Sequence, residues 1–426
     1  MMKRAAVPLV LAAMALADLG CPKREIGTLV ETIPAEPNYE RPLPPGQLAL
    51  RKLSDRDFPD LSAACGDTAG LLEAIGHSLS YLSKPSSRAA FPYGQITHEH
   101  AVASLKAFAD LLRAFAGSPG QFNAAVRQRF DAYISVGCDD RGTVLFTGYY
   151  TPIFEAAPAR GGRFRWPLYR QPGDLVKAPD GAALGRRGAD GRLSTYPDRR
   201  TIESTNMLAG GELYWLADPF EAYVAQVQGS ARLRLPDGRL VTVGYTANNG
   251  HEYVSVGKAL VADGKIAARE LSLHSMINYF KAHPYDVQAY TWRNPRYVFF
   301  AEGGPEPRGC LNEPVTMMRS IATDKSVFPR ACLAVVATRL PLPRLDGSAD
   351  YAPYVGFALD QDAGGAIRAP GRCDLYMGTG DEAGRRAGHT RQEGKLYYLF
   401  LKPQMVPGAG VVPAGPPAPA AAANVP

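Results

Sequence analysis

The chain is poor in the residues that build metal and thiol chemistry, with seven histidines and six cysteines in 426 residues. It has no Cys-x-x-Cys pair and no Cys/His spacing suited to zinc. His98-Glu99-His100-Ala101-Val102 lacks the second histidine that a zinc-protease helix places four residues after the first. There is no Gly-x-Ser-x-Gly elbow, which removes the usual serine-hydrolase scheme. Gly378-Thr379-Gly380 is followed by the wrong spacing for a dinucleotide fingerprint and has no βαβ context. Charge is also unconcentrated: 47 Lys and Arg stand against 41 Asp and Glu, scattered along the chain, for a net +6. That excludes a dedicated nucleic-acid binder and suits a partner with diffuse negative charge. No metal or cofactor is expected.

What is present is a long, apolar chain: 46% hydrophobic residues over a length that favours two domains. Residues 1–20 are basic and then apolar, a run that ends too soon in small residues for a membrane span and reads as an export signal. Two processing outcomes compete there. Ala15-Leu16-Ala17 is an A-x-A cleavage site, whereas Leu19-Gly20-Cys21 looks like the end of a lipoprotein box, with Asp18 a poor fit to the usual aliphatic. Residues 21–55 carry Pro34, Pro37, Pro42, Pro44 and Pro45 and read as a tether. Three helical patterns follow: Leu71 to Leu82, a run capped by Thr97, and Phe122 to Ile134. From Val144 the period becomes two. Tyr149 and Tyr150 then point to opposite faces of a strand, one toward a groove and the other toward the core.

Residues 151–294 read as short strands with glycine turns, a small inserted barrel. Val227, Leu233, Leu235, Leu240 and Val243 give strand alternation, and Pro236-Asp237-Gly238 a hairpin turn. Gln228, Ser230, Asn248 and Asn249 are polar groups suited to sugars, although Asn-Asn-Gly is equally an ordinary turn. Five cysteines remain after Cys21; proximity in an exported chain suggests Cys65 with Cys138 and Cys310 with Cys332, leaving Cys373 buried. Asp381-Glu382 looks like the acidic first turn of a helix. Residues 405–426 are Pro, Ala, Gly and Val, expected to be disordered.

The most informative stretch is Tyr354 to Gly380, in which Asp362 and Asp374 stand twelve residues apart across a Gly364-Gly365 turn. Asp-Ala-Gly-Gly is also a common structural turn. A carboxyl beside an apolar strand and another carboxyl is disfavoured as an anion twice over, so its proton affinity rises. Such a group donates a proton near neutrality.

The segments DQDAGGAI and RCDLYMGTG resemble the 3D-domain signature, with Asp324 as its upstream aspartate. Gly148-Tyr149-Tyr150-Thr151-Pro152, Gln228-Gly229-Ser230 and Asn248 to Tyr253 resemble motifs of the membrane-bound lytic murein transglycosylase A family, which usually has Gly where this chain has Ala231. The resemblance spans residues 140–402. It implies a mainly β protein with N-terminal helices. A double-psi β-barrel would be made from residues 56–150 and 295–404, with the 151–294 barrel closing a groove over a peptidoglycan glycan strand. Asp374 would be the single acid and then base, with Asp362 and Asp324 as catalytic support. Tyr149, Tyr150, Thr151, Gln228, Ser230, Asn248 and Asn249 would bind substrate. The resemblance also favours an exported, periplasmic protein held at the outer membrane by lipid on Cys21. An inverting glycoside hydrolase on the same barrel, and a wall-binding protein without catalysis, are the alternatives. The partner is the wall; endo or exo action and protein partners are not legible. For the N-terminus, mass spectrometry is expected to find a diacylglyceryl mass on Cys21, and a mature chain beginning at Asp18 would remove the anchor.

Overall fold

A computed structural model describes residues 37–178, 181–271, 273–344 and 348–407. The export signal, Cys21 and most of the expected tail lie outside the described residues.

Six strands close into a barrel: β1 (Val144–Thr151), β2 (Ser320–Ala322), β3 (Leu333–Pro343), β4 (Ala349–Asp362), β5 (Arg372–Thr379) and β6 (Arg391–Leu401). The ring runs β1-β5-β2-β4-β3-β6 and back to β1. The β1–β5 and β2–β4 pairs are parallel and the others antiparallel. Along the edge away from β3, β6 serves two neighbours, Arg391–Gly394 pairing with β1 and Tyr397–Leu401 with an outer strand, Phe130–Ser135. Leu50–Lys52 adds to that outer strand, with Ala49 and Leu50 buried, so the end of the proline-rich segment belongs to the body.

Three helices, α1 (Leu71–Ser83), α2 (His98–Ala114) and α3 (Pro119–Arg129), pack on the barrel. Thr97 caps α2 by accepting the His100 N–H at 3.1 Å. Phe108 of α2 packs its ring against Phe122, Phe130 and Phe357, tying helices to barrel. His98 and His100 are buried and hydrogen-bonded to the Leu82 and Leu401 carbonyls, a packing use of both rings. The third helix stops at Arg129, not Ile134, because Phe130–Ser135 pairs with β6 and buries nearly every side chain; sheet pairing overrides a pattern that suits either state. The cysteine pairings are also corrected. Cys65, Cys138, Cys310, Cys332 and Cys373 are all free thiols.

A second six-stranded sheet has the order Val298–Glu302, Leu240–Asn248, Ser230–Arg234, Ile153–Ala157, Glu212–Leu216, Trp166–Tyr169, and an Arg170–Phe300 bridge brings its two outer strands together. It is not made of strands alone. Pro219–Gln228 is a helix whose N-terminus is capped by Asp218, which accepts from Phe220 and Glu221 at 2.7 and 3.0 Å, and Val227 is an exposed helical residue there, not part of a strand. Gly229, at φ 74°, ends that helix and starts the Ser230–Arg234 strand.

Inside the barrel Asp360 is fully buried; its carboxylate meets Lys325 Nζ and accepts from Thr323 and, at 2.7 Å, from Tyr398. Removing one member leaves the other charge unpaired, so Asp360→Ala is expected to cost about 3–5 kcal/mol in chemical denaturation. A loss below ~1 kcal/mol would mean that Lys325 finds another partner.

Candidate active site

Strand register brings the two sequence-predicted carboxyls together. Ala322 of β2 stands opposite Asp362 of β4 on one side and opposite Asp374 of β5 on the other, and Asp374 in turn stands opposite Thr147 of β1. Cross-strand partners share a face, so Asp362, Ala322, Asp374 and Thr147 form one row. Ala322 is small enough to leave space between the carboxyls. Cys373, Leu375 and Met377 alternate onto the other face and enter the core.

Asp360 and Asp362, two residues apart, would share a face in a regular strand. The register slips between Ile321 and Ala322: Asp360 stands opposite Ile321 and Asp362 opposite Ala322. This β-bulge places Gln361 as the extra residue and sends Asp360 inward while Asp362 faces outward. Gln361 secures the bulge with side-chain bonds to Ser320 at 2.6 Å, the Ala74 carbonyl at 2.8 Å and Ser78 at 3.0 Å. Gly309 approaches it so closely that a Cβ would lie 2.6 Å from the Gln361 carbonyl and 3.0 Å from Asp362 Cγ.

The three aspartates are served unequally. Asp324 accepts from the Ser326 N–H and hydroxyl at 3.0 and 2.6 Å and from the Ala369 N–H at 2.8 Å, pinning the loop that joins Asp362 to Asp374. Asp362 Oδ1 accepts the Cys310 and Ala363 N–H groups, both at 2.8 Å, yet burial still raises its proton affinity. Among the described residues Asp374 receives only the Thr147 hydroxyl, on Oδ1. Burial, reinforced by Asp362 and opposed by Arg372, lifts its pKa to about 6.

Tyr149 lies half-buried with its ring 5.1 Å from Tyr376, and its buried hydroxyl interacts with the Asp362 carboxyl without good hydrogen-bond geometry to any described residue. Desolvation and the nearby carboxylates hold that phenol protonated. Tyr150 points to the core, and its N–H donates to Gln228 Oε1 at 3.2 Å. Thr151 is buried, its hydroxyl 2.9 Å from Tyr376 and 3.3 Å from Ser230, which couples barrel to second sheet. Asn249 is 1% exposed and spends its amide on the Pro197 and Pro295 carbonyls and the Tyr297 N–H, a turn-holding arrangement. Asn248 is half-buried, bonded to Tyr245 at 2.6 Å and to the Gly250 N–H at 2.7 Å. Gly365 comes against Arg296 and Tyr253, where the barrel loop meets the second sheet's side. Thr147, Arg372 and Tyr376 were missed from the sequence. Arg372 and Tyr376 were findable, since they sit two residues either side of Asp374 and so share its strand face.

A closed barrel that lines up aspartates from adjacent strands beside a second β unit defines a protein of the 3D-domain class, and residues 319–400 match the 3D domain family. Residues 145–301 match the MltA specific insert domain. The chain is 31% identical over 288 residues to membrane-bound lytic murein transglycosylase A of Escherichia coli K12, covering 67% of this chain and 72% of that one. The Vibrio cholerae protein of that name is 29% identical over 269 residues, covering 62% and 68%. Among solved structures, a membrane-bound lytic murein transglycosylase from Agrobacterium tumefaciens is 27% identical with a TM-score of 0.69, covering 83% of this chain and 98% of that one. E. coli MltA with bound chitohexaose is 25% identical with a TM-score of 0.63, covering 86% and 96%. The chain belongs to the membrane-bound lytic murein transglycosylase A family.

Asp374 binds its proton more tightly folded than unfolded. Its contribution to stability is therefore full below about pH 4 and is lost as pH rises through about 6. Asp374→Asn escapes that loss and is expected to be about 3 kcal/mol more stable than wild type at pH 7.5, with the gain gone by about pH 4. Paired thermal melts across this range check it; a variant less stable at pH 7.5 refutes it.

Proposed function

We propose that the protein is a peptidoglycan lytic transglycosylase. It would cleave the β-1,4 bond between N-acetylmuramic acid and N-acetylglucosamine without water and leave 1,6-anhydromuramic ends. The observation that carries the reading is Asp374: one carboxyl at the end of an aspartate row, of raised proton affinity, with Oδ2 free of any donor among the described residues. In this scheme Asp374 gives its proton to the glycosidic oxygen as the muramic C1–O bond breaks. The C6 hydroxyl of the same sugar forms the new C1–O bond and returns its proton to the Asp374 carboxylate. Asp362 raises the proton affinity of Asp374, and Asp324 fixes the loop between them. The barrel is then of the double-psi kind, with residues 151–294 as an inserted domain whose Tyr149-side rim holds the glycan. The glycan bound by the E. coli relative, chitohexaose, supports a sugar-chain ligand. The family name supports an envelope location, and lipid on Cys21 would anchor the chain there; among the described residues no helix is long and apolar enough to cross a membrane.

One observation favours an inverting hydrolase as the second reading. Asp362 and Asp374 are separated by a full strand, so their Cα atoms are about 9–10 Å apart, which leaves room for a water between carboxyls.

Digestion of purified peptidoglycan in ¹⁸O-water separates the two. Anhydro products without label are expected; labelled reducing ends as the initial product would establish the hydrolase. Asp374→Asn is expected to lose about 10²–10⁴-fold in rate with glycan binding retained. Because the first step needs the protonated acid, kcat/KM should fall as pH rises above about 6. Asp362→Asn removes a charge that raises the Asp374 pKa, so this fall should move to lower pH. An Asp362→Asn loss as deep as that of Asp374→Asn, with no shift in the profile, would indicate a hydrolytic pair.

A further inference from the structure

Asp374 is reached by a directed chain of donors. Arg372 Nη2 donates to Thr147 Oγ1 at 3.1 Å, and the Thr147 hydroxyl donates to Asp374 Oδ1. An arginine has no acceptor to offer. With the guanidinium on one of its two lone pairs, the Thr147 hydroxyl has Asp374 as the one acceptor offered to its own proton among the described residues, which aims the chain at the carboxyl. Nη1 of Arg372 lies 3.6 Å from Glu40 Oε1, on the N-terminal segment that runs over the barrel rim beside Gly371. The Arg372 Nε is buried without an acceptor among the described residues, an expense that a half-exposed ion pair to Glu40 does not repay. The Thr147 contact gives the placement a use.

We propose that Arg372 and Thr147 are positioning residues that decide which oxygen of Asp374 carries the proton. Oδ1 is occupied as an acceptor, so the proton resides on Oδ2, the oxygen left free for substrate. A carboxyl with both oxygens open would hold its proton on the wrong side for much of the time. The charged and titratable groups that face Asp374 are Arg372 on its own strand, Asp362 across Ala322 and Tyr149 on β1, with Arg391 beyond Thr147 on β6 and Cys373 on the opposite face. Among the described residues only Thr147 touches the carboxyl, with Arg372 behind it. The inference rests on the acid/base role of Asp374 proposed above.

The test is a double-mutant cycle on the full chain with Thr147→Val, Arg372→Gln and both together, using peptidoglycan as substrate. Each single change is expected to lower kcat about tenfold with KM unchanged, the size of one lost charge-assisted hydrogen bond. The double variant should lose little more than either single, because both cut one chain. Thr147→Ser should restore the rate. Both single variants should move the alkaline fall in kcat/KM to higher pH, since each removes a group that favours the carboxylate. Multiplication of the two losses to about a hundredfold, or a Thr147→Val variant with unchanged rate and profile, would overturn the proposal. ¹³C NMR titration of the Asp374 carboxyl in the same variants reads the chain without turnover. An upward shift there, with a wild type that makes no anhydro product, would keep the donor chain and reject the transglycosylase reading. No shift, with anhydro product present, would do the reverse.

Discussion

The balance between burial and hydrogen bonding at one carboxyl is the constraint on which the rest of the structure depends. An aspartate taken out of water prefers to be neutral, and each donor aimed at it draws it back toward the anion. Among the described residues Asp324 accepts three donors, Asp362 two and Asp374 one. In the proposed mechanism the difference separates aspartates that hold backbone from the one that exchanges a proton. It arises from position on the strands. Asp324 and Asp362 sit where chains turn and offer N–H groups, whereas Asp374 lies within β5, where the backbone N–H groups are spent on the sheet.

The bulge at Gln361 is the second half of the same arrangement. It lets a single strand supply a buried ion pair to the barrel interior through Asp360 and a half-buried carboxyl to the acidic row through Asp362. Three bonds from the Gln361 side chain, to β2 and to α1, hold the extra residue in place, and Gly309 leaves room for its carbonyl. Helix α1 is thus more than cover for the barrel, since it grips the point at which the acidic row is set. A shift of one residue in this register would exchange the roles of the two aspartates.

Much of this was legible in the residues, though unevenly. The strand, glycine turn and strand around Asp362 and Asp374 read correctly because short strands alternate and glycine-rich turns announce themselves. The bulge did not, because Asp-Gln-Asp has the alternation of an unbroken strand and only the pairing partner reveals the slip. Val227 was misread for a related reason: apolar residues in Phe220-Glu-Ala-Tyr-Val-Ala-Gln-Val227 satisfy a period of two in part, while Asp218-Pro219, an N-cap followed by proline, was the stronger signal for a helix. Free thiols where proximity suggested disulfides show the same limit: Cys332 is buried inside the barrel while Cys310 lies exposed beside Asp362.

In the proposed reaction a proton affinity near pH 6 also has a chemical reason. A group that must first give a proton and then take one from an alcohol works against itself if either state is strongly preferred, and the compromise is a pKa close to ambient pH. Water as the nucleophile would relax this demand, because a second carboxylate takes over the base step and the two affinities are pushed apart. Here burial raises both Asp362 and Asp374, and Arg372 restrains the latter. Neither is held as a dedicated base by a neighbouring cation through a direct hydrogen bond among the described residues. The electrostatics therefore favour one carboxyl acting twice over two carboxyls acting once each.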